Sequence, residues 1–581
     1  MRRGSVLAIV LLYGATSAAF MTGSAARAAA GGVGPLPAIA ASATWGVAKE
    51  PRGMNALDHG GSGSLAAVSC PAKGTCSAVG HYNDAAPMGT GRQVLTVGEE
   101  GGVWGAAQQV PAVAALNAGD FATFHAVSCA SPGNCGGSGT FQDAGGTSHS
   151  FVVTETGGTW TGAKEVPGSL PAGGKFSEVL TESCPAVGRC TIGGDMVLSD
   201  GSDIAYVDSQ APSHAWGTAK LIPGLPSTGF AENVQSLSCR SPGNCAAGGY
   251  LQNRTGLAVA NAWVASEVNG LWHPVKKVAV ALNKGREAFA QQVSCGSPGN
   301  CVAVGYYSPA INQTRGFIEA EKNGTWQPLI SLPGLGVLNA VSCASAGNCT
   351  AGGYAASGTT SRAIVMTEKN GKWTSPAGLP GMAALDTSHG GLVSSLSCVS
   401  AGNCVAAGNY GNNGASQVWV AGQRGGVWGN AAPVPGLNAL NAGKTAGVGG
   451  LSCAALGSCA MVGFYSDGSN APQPWMVAGA IAVPTTVKLA LSTGTVRFGH
   501  EQAEKVSVSV TAANGRRPPG RVTVRAGSVT LCVITLSAGT GSCHLAASKL
   551  RPGSYSVAAV YDGSHDYQGS NVAKKPLRVT T

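Results

Sequence analysis

Charge is what this sequence has least of. Lys, Arg, Asp and Glu make up 11% of its 581 residues, about half the usual share, and aromatic residues make up 6%. So little charge beside 88 Gly argues against a helical bundle, which draws on Glu, Lys and Leu. Beyond residue 30 no run of eighteen apolar residues offers a membrane-spanning helix. The ten His form no His-Glu-x-x-His arrangement for zinc, and there is no Gly-x-Ser-x-Gly elbow for a serine nucleophile. No cofactor motif stands out either. What is present is an ordinary hydrophobic content of 44%, which excludes a wholly disordered chain, and a length that calls for two or more units.

The first thirty residues read as an export signal. Arg2 and Arg3 precede an apolar run over 6–13, and Ala26-Arg27-Ala28 and Ala28-Ala29-Ala30 offer small-x-small cleavage sites. An uncleaved anchor is the alternative, and the run is short for a span. Export places the cysteines in an oxidising compartment and predicts a secreted protein, free or associated with the cell wall.

Repeats organise most of the remaining chain. Cysteine pairs fall at Cys70 and Cys76, Cys129 and Cys135, Cys184 and Cys190, Cys239 and Cys245, Cys295 and Cys301, Cys343 and Cys349, Cys398 and Cys404, and Cys453 and Cys459, each with five residues between. A Ser precedes every first cysteine, from Ser69 to Ser452, and a Gly follows every second one by four residues, from Gly80 to Gly463. Loops such as Ser-Pro-Gly-Asn at 131–134 are hairpin chemistry, and Asn269-Gly270, Asn323-Gly324 and Asn370-Gly371 suit two-residue turns with positive φ. Each unit of about 55 residues therefore holds four short strands, as a propeller blade does. The cysteines read as eight local disulfides, each closing a loop worth about 2 kcal/mol. Zinc held by paired thiolates is the alternative, but the pairs lack neighbouring ligands to complete four.

Tryptophan speaks to ring closure. Fourth-strand tryptophans fall at Trp45, Trp104, Trp160, Trp216, Trp272, Trp326, Trp373 and Trp428, while Trp263, Trp419 and Trp475 belong to third strands. The last repeat lacks its fourth-strand Trp, and a spare one, Trp45, precedes the first cysteine pair. A chain offset by one strand at both ends predicts an all-β, eight-bladed propeller over 40–482, closed by its N-terminal strand, which removes exposed strand edges. An open solenoid is the other reading.

After residue 484 the cysteine period stops and short alternating segments continue to 581, predicting an antiparallel sandwich with Cys532 paired to Cys543. Leu550-Arg551-Pro552-Gly553-Ser554-Tyr555 and Tyr561-Asp562-Gly563-Ser564-His565-Asp566-Tyr567 resemble the strand entry and ending of the bacterial immunoglobulin-like repeat domain, and Ser570 matches its final Ser. The resemblance implies that fold for about 95 residues and implies no activity. The cysteine repeats resemble those of secreted actinobacterial proteins that carry such domains.

Residues 484–581 hold 12 basic and 4 acidic residues, whereas 31–483 hold 21 and 23. Arg516, Arg517, Arg521, Arg525, Lys574 and Lys575 are candidates to meet an anionic cell-wall polymer or membrane surface, with ordinary solvated charge as the alternative. Nucleic acid is not an expected partner, since no recognition helix or stacking motif is present.

Chemistry is sparse. Glu99, Glu155, Glu267, Glu321 and Glu368 each precede a fourth-strand Trp by five residues, a faint resemblance to the Asp box of sialidase-like propellers, and read as hairpin support. Asp120, Asp143, Glu182, Asp195 and Asp208 sit in the least regular repeats, and Glu182 stands where the other seven repeats have Val or Leu. Carboxylates from distant blades could still meet for glycoside hydrolysis. The better expectation is a surface. Tyr82, Phe141, Tyr250, Tyr306, Tyr307, Tyr354, Tyr410, Phe464 and Tyr465 follow the second cysteine by five or six residues, and their shared register predicts a cluster at one end of the ring. They either bind a glycan or protein there or cap the blade ends. The sequence thus predicts a monomeric, non-enzymatic recognition protein, with a propeller-type glycoside hydrolase or polysaccharide lyase as the alternative.

Overall fold

The structure, a computed structural model, describes residues 44–581 apart from 85–90, 228–229, 254–258, 333, 359, 456–457, 481–484, 514, 564–566, 568 and 572–574. The expected export signal at 1–30, the opening residues 40–43, the junction at 481–484 and Lys574 lie outside the described residues. The described chain is all-β, with helices of one turn such as Pro111–Ala114.

All eighteen cysteines pair as expected. Within the repeats Cys70 bonds to Cys76, Cys129 to Cys135, Cys184 to Cys190 and Cys239 to Cys245. Cys295 bonds to Cys301, Cys343 to Cys349, Cys398 to Cys404 and Cys453 to Cys459. Cys532 bonds to Cys543 in the C-terminal unit. These cysteines are structural: Cys76, Cys245, Cys301, Cys349, Cys404 and Cys459, the second of their pairs, are buried in the cores that join one repeat to the next.

In the first repeat, Gly63–Ala72, Thr75–Asn83, Arg92–Glu100 and Val103–Trp104 pair antiparallel in chain order. The fourth to seventh repeats keep this order, and in each the fourth strand is broken, its second piece pairing further along the third. The Gly residues of the two hairpin turns dock: Gly102 donates its N–H to the Gly74 carbonyl at 2.9 Å, and Gly270, Gly324, Gly371 and Gly426 repeat the bond. Asn269, Asn323 and Asn370 adopt positive φ of 50–51°, as the turn reading required.

One place departs from the expected separate sheets, and another follows the expected displacement of Trp45. The second and third repeats join into one eight-stranded sheet through the parallel pairing of Phe176 with Ser148. The eighth takes its fourth strand from the other end of the sequence: Thr44–Trp45 pairs with Pro472–Ala480, Trp45 standing opposite Gly479. A Cβ at Gly479 would lie 2.2 Å from the Trp45 ring, so Gly clears the ring's place. In the other repeats that place faces Glu99, Glu155, Gln210, Glu267, Glu321, Glu368 or Gln423.

The invariant Ser and Gly each have a physical cause. Ser69 accepts the backbone N–H of Cys129, the first cysteine of the next repeat, and Ser128, Ser183, Ser238, Ser294, Ser342 and Ser397 do the same in turn, at 2.9–3.1 Å. Ser452 of the last repeat accepts the N–H of Cys70 in the first at 3.0 Å. The invariant Gly stands opposite a β-bulge in the first strand, such as the register break between Leu65 and Ala67. A Cβ on Gly80, Gly139, Gly194, Gly249, Gly305, Gly353, Gly408 or Gly463 would sit 1.9–2.0 Å from the carbonyl oxygen across the hairpin, so only Gly fits.

The hydrophobic cores lie between repeats. Eight clusters each draw side chains from two neighbouring repeats; one joins Ala460, Val462 and Met476 of the eighth to Leu65, Ala78 and Leu95 of the first. Burying such side chains contributes about 1.5–3 kcal/mol each, so no repeat is stable without its neighbours.

The C-terminal unit holds two sheets. Thr485–Leu491, Lys505–Ala512 and Thr540–His544 form one. Thr495–Arg497, Lys575–Thr580, Gly553–Tyr561, Gly520–Ala526 and Val529–Leu536 form the other, in that order. Val506, Val522, Val524, Val557 and Leu577 fill the core. Cys532 and Cys543 lie in different sheets, so their bond ties the two layers together.

Candidate functional site

The expected aromatic end splits in two by strand alternation. Tyr82, Phe141, Tyr307, Tyr410 and Tyr465, six residues after the second cysteine, are buried in the cores between repeats. They pack; they offer no surface to a ligand, which corrects the expectation of one aromatic face. Tyr250, Tyr306, Tyr354 and Phe464, five residues after it, point to the opposite side and are half-buried. Pooling the two offsets hid this division.

The fifth position faces the start of the first strand, and the facing pairs differ from repeat to repeat: Ser64 with His81, Thr123 with Thr140, Glu178 with Asp195, Asn233 with Tyr250, and Phe289 with Tyr306. Neighbouring pairs touch. The Tyr250 and Phe289 rings meet edge to face at 5.0 Å, and Phe289 and Tyr306 lie 5.3 Å apart. These three half-buried rings make a track across the fourth and fifth repeats.

Carboxyl groups gather beside that track. The Asp195 carboxyl hydrogen-bonds to both Glu178 and Asp203, which come from the flanking strands of the third repeat. Burial and the Asp203 charge push Glu178 up to about 7, and burial and both neighbours hold Asp195 well above the usual carboxylate range. Glu232, from the fourth repeat and 1% exposed, is pushed by burial up to about 8. Burial raises Asp208 to about 6 as well. The buried Tyr206 hydroxyl donates to Ser150 at 2.7 Å nearby. Burial thus favours the protonated form of Glu178, Asp195 and Glu232, in which a carboxyl can donate a hydrogen bond as well as accept one. Of this group only Asp195 and Asp208 stood out in the sequence; Glu178, Asp203 and Glu232 become visible when the repeats are aligned on the bulge.

The remaining candidates have structural surroundings. Glu182 is buried against the Cys184–Cys190 disulfide, and burial pushes it up to about 8; a Cβ on Gly136 would overlap it at 2.0 Å. The repeated glutamates face their tryptophans and are buried between repeats, where Ser77 donates to Glu155 at 3.0 Å and Ser266 to Glu321. Asp143 caps its own loop, accepting the N–H groups of Gly145 and Thr147, and Asp120 is exposed. His81 and His125 are held neutral, burial pushing them down to about 3 and about 4. Cys129–Cys135–Glu155 and Glu182–Cys184–Cys190 approach as metal ligands would, but their sulfurs are tied up in disulfides. Arg516, Arg517, Arg521, Arg525 and Lys575 are exposed on the C-terminal unit.

Residues 482–580 match the family described as Bacterial Ig-like domain (group 3). No curated protein is similar in sequence to this chain. Among solved structures, a protein of unknown function from Dyadobacter fermentans is 11% identical over 77% of this chain and 100% of its own, with a TM-score of 0.37. Sqt1 of Chaetomium thermophilum is 11% identical over 73% and 98%, with a TM-score of 0.39. A Hadza microbial sialidase is 11% identical over 55% and 65%, with a TM-score of 0.32. Likenesses this low carry no weight for function. No helix among the described residues is long and apolar enough to cross a membrane.

Proposed function

We propose that the eight repeats form a closed eight-bladed propeller over 40–482, followed by an immunoglobulin-like sandwich over 484–581. In this reading the protein is secreted after loss of 1–30 and works as a monomeric, non-enzymatic recognition protein: the propeller binds a glycan and the basic domain meets the cell envelope. The serine bonds that run on from Ser452 to Cys70, and the core shared by the first and eighth repeats, support the ring. Nine disulfides support the oxidising compartment.

The observation that carries the glycan reading is the Tyr250–Phe289–Tyr306 track beside the carboxyl groups of Glu178 and Asp195. Half-exposed rings offer apolar faces to sugar C–H groups, while Glu178 and Asp195 supply donors and acceptors for hydroxyls. The mature chain should retain a glycan on an array or pull down cell-wall polysaccharide. The double variant Tyr250→Ala/Phe289→Ala should lose at least tenfold in affinity with an unchanged melting profile. Silence on both assays, or equal binding by the variant, removes the reading.

A hydrolase is the second reading, favoured by one observation: Asp195 sits between two further carboxyls, the kind of group in which acid and base share protons. Release of reducing sugar that disappears in Asp195→Asn would move the assignment to an enzyme.

A further inference from the structure

A basic surface lies on the outer face of the larger sheet of the C-terminal unit. Its five main strands carry Arg497, Arg521, Arg525, Lys575 and Arg578 and not one Asp or Glu. Strand alternation sets four of these on one side: Val496, Val522, Val524 and Val579 point into the core, so Arg497, Arg521, Arg525 and Arg578 point out, and all four are exposed. Cross-strand register brings Ser554 beside Arg578 and Ala558 beside Arg525 on the same side. Arg525, Ser528, Ser554 and Ser556 line a groove of about 630 Å³ there.

Of the domain's described acids, Asp562 alone reaches this face, at Thr523 between Arg521 and Arg525. Glu501 and Glu504 are wholly buried, where Ser548 donates its N–H to Glu501 and the N–H groups of Ser492, Thr493 and Gly494 converge on Glu504. Among the described residues of 484–581 this leaves Asp562 as the one exposed side-chain carboxylate, and it accepts from the Thr523 hydroxyl at 3.3 Å. The formal excess of basic residues therefore understates what a ligand meets at the surface.

We infer that this sheet face binds a linear, phosphate-bearing polymer. The inference rests on the reading that the basic domain meets the envelope, and it names the face and the chemistry. Along a strand, Arg521 and Arg525 stand roughly 13 Å apart, and Arg578 lies two strands from Arg525 and four residues along, roughly 16 Å away. A single anion reaches one of these cations; a flexible polymer charged at every unit reaches all of them. The donor set favours phosphate over carboxylate. A planar carboxylate is satisfied by one guanidinium fork, whereas the tetrahedral oxygens of a phosphate use the fork and the serine hydroxyls around it.

The test uses the full mature chain with long-chain polyphosphate as probe, polygalacturonate as the carboxylate polymer, inorganic phosphate as the monomer, and isolated cell walls. Polyphosphate should bind in 0.1 M salt, weaken steeply as salt rises, and bind at least tenfold more tightly than polygalacturonate; the monomer should not compete at equal phosphate. The variant Arg521→Ser/Arg525→Ser/Arg578→Ser should lose at least tenfold, and Arg516→Ser/Arg517→Ser, which lies in the loop before the sheet, less than threefold. Equal losses in the two variants, equal binding of polygalacturonate, or no binding of polyphosphate each overturn the inference. Cell walls bound without polyphosphate binding sink this inference alone; failure of both probes sinks the envelope reading with it.

Discussion

The hydroxyl of Ser452 accepts the backbone N–H of Cys70 at 3.0 Å across 382 residues of chain. It makes there the bond that Ser69 makes to Cys129 and Ser397 to Cys453 between consecutive repeats. One hydroxyl per repeat thus satisfies the cysteine N–H of its neighbour, and the last repeat serves the first.

Ser452→Ala should therefore cost what Ser397→Ala costs, about 1 kcal/mol each, read as a shift in denaturation midpoint. In an open array the terminal serine has no such partner. A negligible effect at Ser452 beside a normal one at Ser397 would count against a ring.

Gly80→Ala should destabilise the chain by about 3 kcal/mol or more, because its Cβ would sit 2.0 Å from the Ser64 carbonyl oxygen. Gly98→Ala is the control. Its Cβ would meet nothing within 4 Å, and the exchange should be close to neutral. Urea denaturation of both variants reads the difference.

Stability should peak at about pH 4.5, because above it three raised acids outweigh two depressed histidines. Glu178, Glu182 and Glu232 have folded pKa values raised to about 7, 8 and 8, so the unfolded chain releases their protons first. Their contribution is fully present below about pH 4.5 and is lost as pH rises to about 8, by about 1.4 kcal/mol per pH unit per group. His81 and His125 run the other way: their folded values are depressed, and their contribution falls as pH drops from about 6.5 towards 4. Thermal melts across pH 4–9 should trace that peak; a steady rise up to pH 9 would contradict the burial of these acids.

Glu182→Leu installs an apolar residue of the kind found at this place in the other repeats. It should raise the melting temperature at pH 8.5, where the wild-type carboxyl is forced to ionise, and change it little at pH 5. An equal shift at both pH values would mean that ionisation is not the cause.

Glu504→Gln should destabilise the C-terminal unit by about 2 kcal/mol. The carboxylate collects backbone N–H groups from Ser492, Thr493 and Gly494 and the hydroxyls of Ser492 and Thr493, and an amide cannot accept all of them. Those bonds hold its folded pKa below the usual value despite burial, so the contribution of the wild-type residue should fade as pH drops below about 4.5. Denaturation at pH 7 and pH 3.5 checks both statements.

Repetition made the architecture legible. Eight copies of Ser-Cys-x5-Cys-x3-Gly fixed the hairpins, and the displaced Trp45 announced the pairing with the last repeat, because a local pattern read eight times separates signal from composition. The immunoglobulin-like domain was legible for a different reason, the turn motifs around Tyr555 and Tyr561. The candidate site was not. Whether Tyr250 or Tyr307 reaches solvent depends on which side of a bulged strand it leaves, and one residue of register reverses the answer. Glu178 and Asp203 meet through Asp195 within the third repeat's sheet, and Glu232, 54 residues from Glu178, joins them only because neighbouring repeats pack face to face. The sequence by itself determined which segments pair, since pairing follows local alternation and turn chemistry. Only the tertiary structure decided which side chains are buried, which acids burial shifts towards their protonated form and which arginines share a face, because those depend on distances between strands that the linear order does not contain.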